Sequence, residues 1–363
     1  MSRARTLADQ FNSDGDLALT PVASVNAGQI GGRRNLIING AMQVAQRGTS
    51  YSQSPNSGNY HTVDRFSYRR TGGWVGVTAV TLTQESSGAP SGFTHFLRYA
   101  PSGADSSVPS DTSMYVDAKL EGNSTSFLGL GTSSAKTFTL SFYVRSSVTG
   151  TFSVSAGDNG GASGAKYLAE YTINSANTWE RKEITIPGTS SGSFATNTNT
   201  GLVILFVVSA DASSSTYASS TLNSWQTSTD ARWSTNQSAA VTATAGQTWD
   251  LTGIQLEIGS QASDFEHRSF GEELALCQRY YEIARVYLES YSDTAGRDLA
   301  NGVKFAVDKR SAPTITRLNL AASNIASHQT SGSLGVYGAF TRNRSGGSGG
   351  VYFDDQLDAD AEL

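Results

Sequence analysis

Sulfur, charge and long apolar runs are all scarce in this chain of 363 residues. A single cysteine, Cys277, excludes an internal disulfide, so no covalent staple can stand in for a core. Charged residues make up 16% of the chain, against roughly 25% in an ordinary soluble domain, and apolar residues only 38%. With a net charge of −5 there is no basic excess to release counterions from a phosphate backbone, so no nucleic-acid partner is expected. No run approaches the ~20 apolar residues of a membrane span, and Met1-Ser2-Arg3-Ala4-Arg5 lacks the apolar segment of a signal peptide. The expectation is a soluble chain made in a cytoplasm, with no membrane insertion. Metal spacing is missing as well, since His61, His95, His267 and His328 stand in unrelated contexts. No phosphate loop, dinucleotide fingerprint or nucleophile elbow occurs. No metal, cofactor or catalytic residue is therefore expected.

Ser, Thr, Gly and Asn take the place of charge, a composition that suits many short strands joined by long loops. Alternation is cleanest at Phe138, Leu140, Phe142 and Val144. Met114, Val116, Ala118 and Leu120 also alternate, with Tyr115, Asp117 and Lys119 on the opposite face. Leu36-Ile37-Ile38 reads as a strand ending at the turn pair Asn39-Gly40. Phe152, Val154 and Ala156 follow Thr149-Gly150 as if in a hairpin. Leu202 to Val208 is apolar throughout and reads as a strand covered on both faces. The expected fold class is all-β, a jelly-roll β-sandwich over 35–268.

The chain is organised around the stretch from Gln247 to Arg285. Apolar positions 249 and 251 give way to 254, 256 and 258, a change of parity that requires a bulge near Thr252-Gly253. Ser269-Phe270-Gly271-Glu272 has capping-box spacing. Leu274, Cys277, Tyr281, Ala284 and Leu288 then recur at steps of three and four, a stripe of about four turns, which predicts one bracing amphipathic helix over 269–289. Cys277 reads as a small buried hydrophobe on that stripe rather than as a nucleophile. Leu274, Cys277, Tyr281 and Leu288 are the expected subunit-interface residues. Residues 290–363 read as a small C-terminal β-unit of four or five strands, marginal alone. The tail acids Asp354, Asp355, Asp358, Asp360 and Glu362 read as a solvated end. Residues 1–34 read as a docking segment and linker, with Leu7, Phe11, Leu17 and Leu19 too few to bury themselves.

Functional signals are sparser. Asp64, Glu121, Glu170, Asp250 and Glu257 lie on or near strands, each expected to be solvated or paired with an arginine, and Asp64-Arg65 with Arg69-Arg70 reads as a surface ion pair. Trp74, Tyr217, Trp225 and Trp233 are the glycan-binding candidates, because rings in polar loops either stack on sugars or plug the sandwich ends or a subunit interface.

Asn35-Leu36-Ile37-Ile38-Asn39-Gly40 is similar to the opening strand of jelly-roll carbohydrate-binding modules, although Ala41-Met42-Gln43 departs from their continuation. Arg33-Arg34-Asn35 to Gln46-Arg47-Gly48-Thr49-Ser50, and Thr252 to Ile258 through Phe265-Glu266-His267-Arg268 to Tyr280-Tyr281-Glu282, resemble tail-fibre-like virion proteins of bacteriophages. The resemblance implies a structural, non-enzymatic virion protein, often a homotrimer. It would contact other virion proteins through 1–34 and a host-surface glycan or receptor through the sandwich. A head fibre or capsid decoration protein and a tailspike-like glycan depolymerase are the alternatives.

Overall fold

The computed structural model describes residues 33–53, 59–160, 164–227 and 230–363, together with a two-residue ladder between Ser24–Val25 and Gly28–Gln29. Two antiparallel sheets form a jelly-roll sandwich. Its strands are β1 (Phe66–Thr71), β2 (Val77–Glu85), β3 (Phe96–Gly103), β4 (Ser113–Glu121), β5 (Phe138–Ser146), β6 (Gly150–Gly157), β7 (Ala165–Ile173), β8 (Glu180–Ile186), β9 (Thr200–Ala210) and β10 (Trp249–Ile258). The first sheet runs β7-β6-β9-β4-β1, extended at both edges by shorter strands, and the second β8-β5-β10-β3-β2, extended beyond β2 by one. Inward alternation fills the space between them with Phe138, Phe142, Phe152, Phe206 and Trp249, all fully buried. Each such side chain stabilises the fold by roughly 1.5–3 kcal/mol relative to exposure.

The parity break in β10 is a bulge: its pairing with β5 slips between Thr252 and Gln255, and Gly253 sits at φ 61°. A Cβ at Gly253 would meet the Phe93 and Tyr143 rings at 2.6 and 2.9 Å, so the position needs glycine for space as well as for backbone. Two expectations fail nearby. Leu36-Ile37-Ile38 is a turn, because the Asn35 side chain bridges the Ile254 oxygen and the Leu256 and Ile37 amides and so takes over ladder bonds. Strands β5 and β6 are not a hairpin; they lie in opposite sheets, and β6 pairs with β7 and β9 instead.

The brace is shorter than its spacing predicts. Helix α1 spans Phe270–Gln278, opened by the expected capping box: the Glu272 amide donates to Ser269 Oγ at 3.3 Å and the Ser269 amide to Glu272 Oε2 at 3.0 Å. The predicted remainder is strand β11 (Tyr281–Ser292). Glu282, Ala284, Val286 and Leu288 share one strand face, and a full ladder with β16 (Gly349–Asp360) outweighs the helical spacing. With β12 (Asp298–Lys304), β13 (Thr314–Ser323), β14 (Ile325–Ser333) and β15 (Gly338–Ser345), this region makes two three-stranded sheets, β11-β16-β13 and β12-β15-β14. Their core gathers Val286, Phe353, Leu357 and Ala359.

A charged joint ties the small sandwich to the large one. The Arg279 guanidinium forks onto Glu121 at 2.7 and 3.0 Å, and the Tyr280 hydroxyl donates to the same carboxylate at 2.8 Å. Arg65 lies 3.5 Å over the Tyr280 ring centroid and pairs with Glu362; Arg47 lies 3.4 Å over Tyr281 and reaches Glu362 and Asp360 at 3.4 Å each. The tail acids are thus not a solvated end. Asp355 is buried against Arg317 and Glu362 against Arg65, while burial raises the Glu362 carboxyl. Likewise Asp64-Arg65 is no surface pair, since both residues are buried in the joint.

Candidate functional site

Strand alternation on the outer face of the first sheet aligns side chains in rows. Arg69, Tyr115, Val207, Ser153 and Glu170 form one row; Ser67, Asp117, Leu205, Ser155 and Leu168 form the next; Lys119, Val203, Gly157 and Lys166 follow. The long 211–248 connection folds back over the first row. Trp233 is fully buried there, its indole N–H donating to the Asp211 oxygen at 2.8 Å, and the Ser234 amide donates to Ser153 Oγ at 2.9 Å. The loop's described residues leave part of the other two rows open. What it leaves uncovered is a cleft of about 250 Å³, walled by Asp230 and Arg232 on one side and by Asp158 and Asn159 on another.

Ion pairs build the cleft. Arg69 Nε lies 3.3 Å from Asp117, which also accepts a hydrogen bond from Ser67 Oγ. Arg232 forks onto Asp230 at 2.7 and 3.0 Å, and its guanidinium stands 5.0 Å over the Tyr217 ring. Lys166 Nζ donates to the Asp158 backbone oxygen at 2.6 Å, and the Asp158 carboxylate is held by the amides of Gly160, Ala165 and Ser193 at 2.9–3.1 Å. Lys119 Nζ donates to the Leu363 main-chain oxygen at 3.0 Å, and no Asp or Glu side chain forms an ion pair with it among the described residues. Burial raises the Asp117 carboxyl against the pull of Arg69, and burial lowers the Lys119 and Lys166 ammonium groups.

The ring candidates do not converge. Trp74 and Trp233 are buried and present no open face, while Tyr217 backs the cleft wall through Arg232. Trp225 is half-buried at the far sheet edge, bonded to the Pro187 oxygen at 2.6 Å and packed on Tyr167 and Phe194. On the brace, Cys277 and Tyr281 are buried within the chain, and Leu274 and Leu288 are half-buried, Leu288 against the small core. Tyr281 is 3% exposed, so its burial needs no second copy. Leu7, Phe11, Leu17 and Leu19 lie outside the described residues. Of the strand carboxylates, Glu121, Asp250 and Glu257 take arginine partners, and Glu170 accepts from Ser234 Oγ. Of the cleft residues, sequence marked Arg69 only within a surface ion pair and Asp117 and Lys119 only as the polar alternate face of β4, and it gave no signal for Lys166 or Arg232.

No protein-family profile matches the chain, and no curated protein matches it. Among solved structures, the enzymatically active domain of tailspike protein 4 from bacteriophage CBA120 is similar at 12% identity and a TM-score of 0.31, over 62% of this chain. This chain spans only 21% of that one. A putative sugar-binding protein from Bacteroides thetaiotaomicron is similar at 11% identity and a TM-score of 0.35, covering 62% of this chain and all of that one. A family-61 carbohydrate-binding module solved with β-1,4-galactotriose gives 13% and 0.28, over 62% of this chain and 99% of its own. None of these likenesses bears on a residue of the cleft.

Proposed function

We propose that the chain is a bacteriophage virion appendage, a tail-fibre or tail-associated protein assembled in the host cytoplasm, whose large sandwich offers its cleft to a host-surface glycan. The observation that carries the binding half is the cleft, a concave site open on a rigid sheet and lined by oriented donors and acceptors. The appendage half is supported by the resemblance of 33–50 and 252–282 to tail-fibre-like proteins. In the fold these stretches knit together, with Glu266 accepting from the Arg34 and Asn35 amides at 2.9 and 2.8 Å. Assembly as a homotrimer, and docking on other virion proteins through 1–34, belong to the same reading.

Val203 faces the cleft from the middle of the sheet, so Val203→Trp fills it while leaving the core untouched. On a host-glycan array the native chain binds and Val203→Trp does not, at an unchanged melting temperature; equal binding by both would remove the cleft from the reading. Gold-labelled antibody on purified particles should decorate tails; label on heads would favour a decoration protein. Light scattering should return three copies. One observation favours a second reading, cleavage: Asp117, its carboxyl raised by burial, shares the cleft with Asp158 and Asp230. Release of reducing ends from host polysaccharide, abolished in Asp117→Asn, would establish it.

A further inference from the structure

Resting on the reading of the cleft as a glycan site, we infer that its ligand is an acidic saccharide, one whose sugars carry carboxylate or phosphate groups. The argument is which member of each ion pair faces the opening. Arg69 is 34% exposed and its partner Asp117 4%; Lys166 is 12% exposed and Asp158 2%; Arg232 is 23% exposed and Asp230 14%. In every pair the carboxylate lies beneath and the cation lies on top. Lys119 adds a fourth cation, held by the Leu363 main-chain oxygen and by no Asp or Glu side chain among the described residues. The lining is thus four cations over three sunken anions, in a chain whose net charge is −5.

The sunken carboxylates also fix their cations. Asp230 holds Arg232 by a two-point fork, and Asp158 is itself pinned by three backbone amides. A ligand anion therefore meets donors already oriented, and charge-assisted bonds to such donors are about twice as strong as neutral ones. A neutral sugar would have to find acceptors among carboxylates already engaged by Ser67, by backbone amides or by arginine. Lys119 is the informative position, because removing its charge orphans no Asp or Glu side chain among the described residues.

The test uses the full chain and calorimetry on matched pairs: hexuronate and sialylated oligosaccharides beside the same chains with carboxyls reduced to alcohols, and phosphate-substituted oligosaccharides beside their dephosphorylated forms. Binding to one acidic class should exceed its neutral counterpart at least tenfold and weaken as salt rises from 50 to 500 mM, roughly following the shrinking Debye length. The class that binds tells carboxylate from phosphate. Lys119→Gln should lose about tenfold for the acidic member alone, and Lys119→Arg should retain it. Should Lys119→Gln fail to fold, Val203→Glu places a competing anion in the same row, and rejection of the acidic member with retention of neutral sugar supports the inference. Equal affinity for both members of each pair, or indifference to both substitutions, overturns the inference and leaves the cleft a glycan site. Absence of binding to every member, acidic and neutral, overturns the underlying reading and this inference with it.

Discussion

The two sandwiches bury their interiors in different ways. In the large one the centre is aromatic: Phe142 meets Phe206 edge-on at 5.0 Å and Tyr171 at 5.2 Å, within one continuous cluster of buried apolar side chains. In the small one, apolar Phe353 and Leu357 share the interior with Arg317, Asp355, Asn343 and Thr341, all buried or nearly so. Surface-to-volume scaling accounts for the difference. A unit of this size cannot enclose enough apolar surface alone, so it accepts a partnered charge and leans on its larger neighbour through a joint of ion pairs. One half of the molecule is governed by area removed from water, and the other by whether each charge keeps its partner.

Substitutions that remove a partner or a ring separate the two regimes. Arg317→Ala strands the Asp355 carboxylate and should destabilise the small sandwich by about 3–5 kcal/mol, while the pair Arg317→Met with Asp355→Leu should recover most of that loss. Phe142→Ala should cost a similar 3–5 kcal/mol in the large sandwich, with no partner change able to restore it. The five tryptophans all lie between positions 74 and 249, so urea titration followed by their fluorescence reports the large sandwich, and amide exchange reports the small one. Recovery failing in the double variant would mean that the small interior depends on charge for more than partner matching.

The joint should respond less. Arg65→Ala removes one of the two arginines on Glu362 and leaves Arg47, so a loss of about 1.5–3 kcal/mol is expected, with the small sandwich unfolding ahead of the fluorescence transition. Smaller still is the effect of pH. Burial, reinforced by Asp360, holds the Asp358 carboxyl at about 6, above its ordinary 3.8. The folded state keeps a proton there that the unfolded chain has released, so this contribution to stability is full below about pH 4 and is lost as pH rises through 6. The buried, raised Asp64 and Glu362 act in the same direction. The small sandwich should therefore melt higher at pH 5 than at pH 7.5, and Asp358→Asn should flatten the dependence; a steeper slope in that variant would assign the effect elsewhere. Least of all, Arg297→Ala breaks an exposed pair with Asp293 and should change stability by ~0.5 kcal/mol or less.

The sequence by itself determined whatever depends on near neighbours. Alternation of Phe138, Leu140, Phe142 and Val144 marked a strand, the parity break marked the bulge at Gly253, and Ser269 with Glu272 marked the helix start, because side-chain direction and capping are set within a few residues. Tertiary structure alone decided which strands pair and which charges meet. It turned Tyr281 to Ser292 from predicted helix into a strand, since the ladder that outweighs the spacing comes from residues 349–360. It buried Trp233 as a plug rather than exposing it as a platform. It also drew Arg69, Asp117, Lys119, Lys166 and Arg232 from three strands and a loop into one cleft. Partners tens to hundreds of residues apart leave no periodic trace, and the sign of a buried charge's contribution rests on whether such a partner arrives.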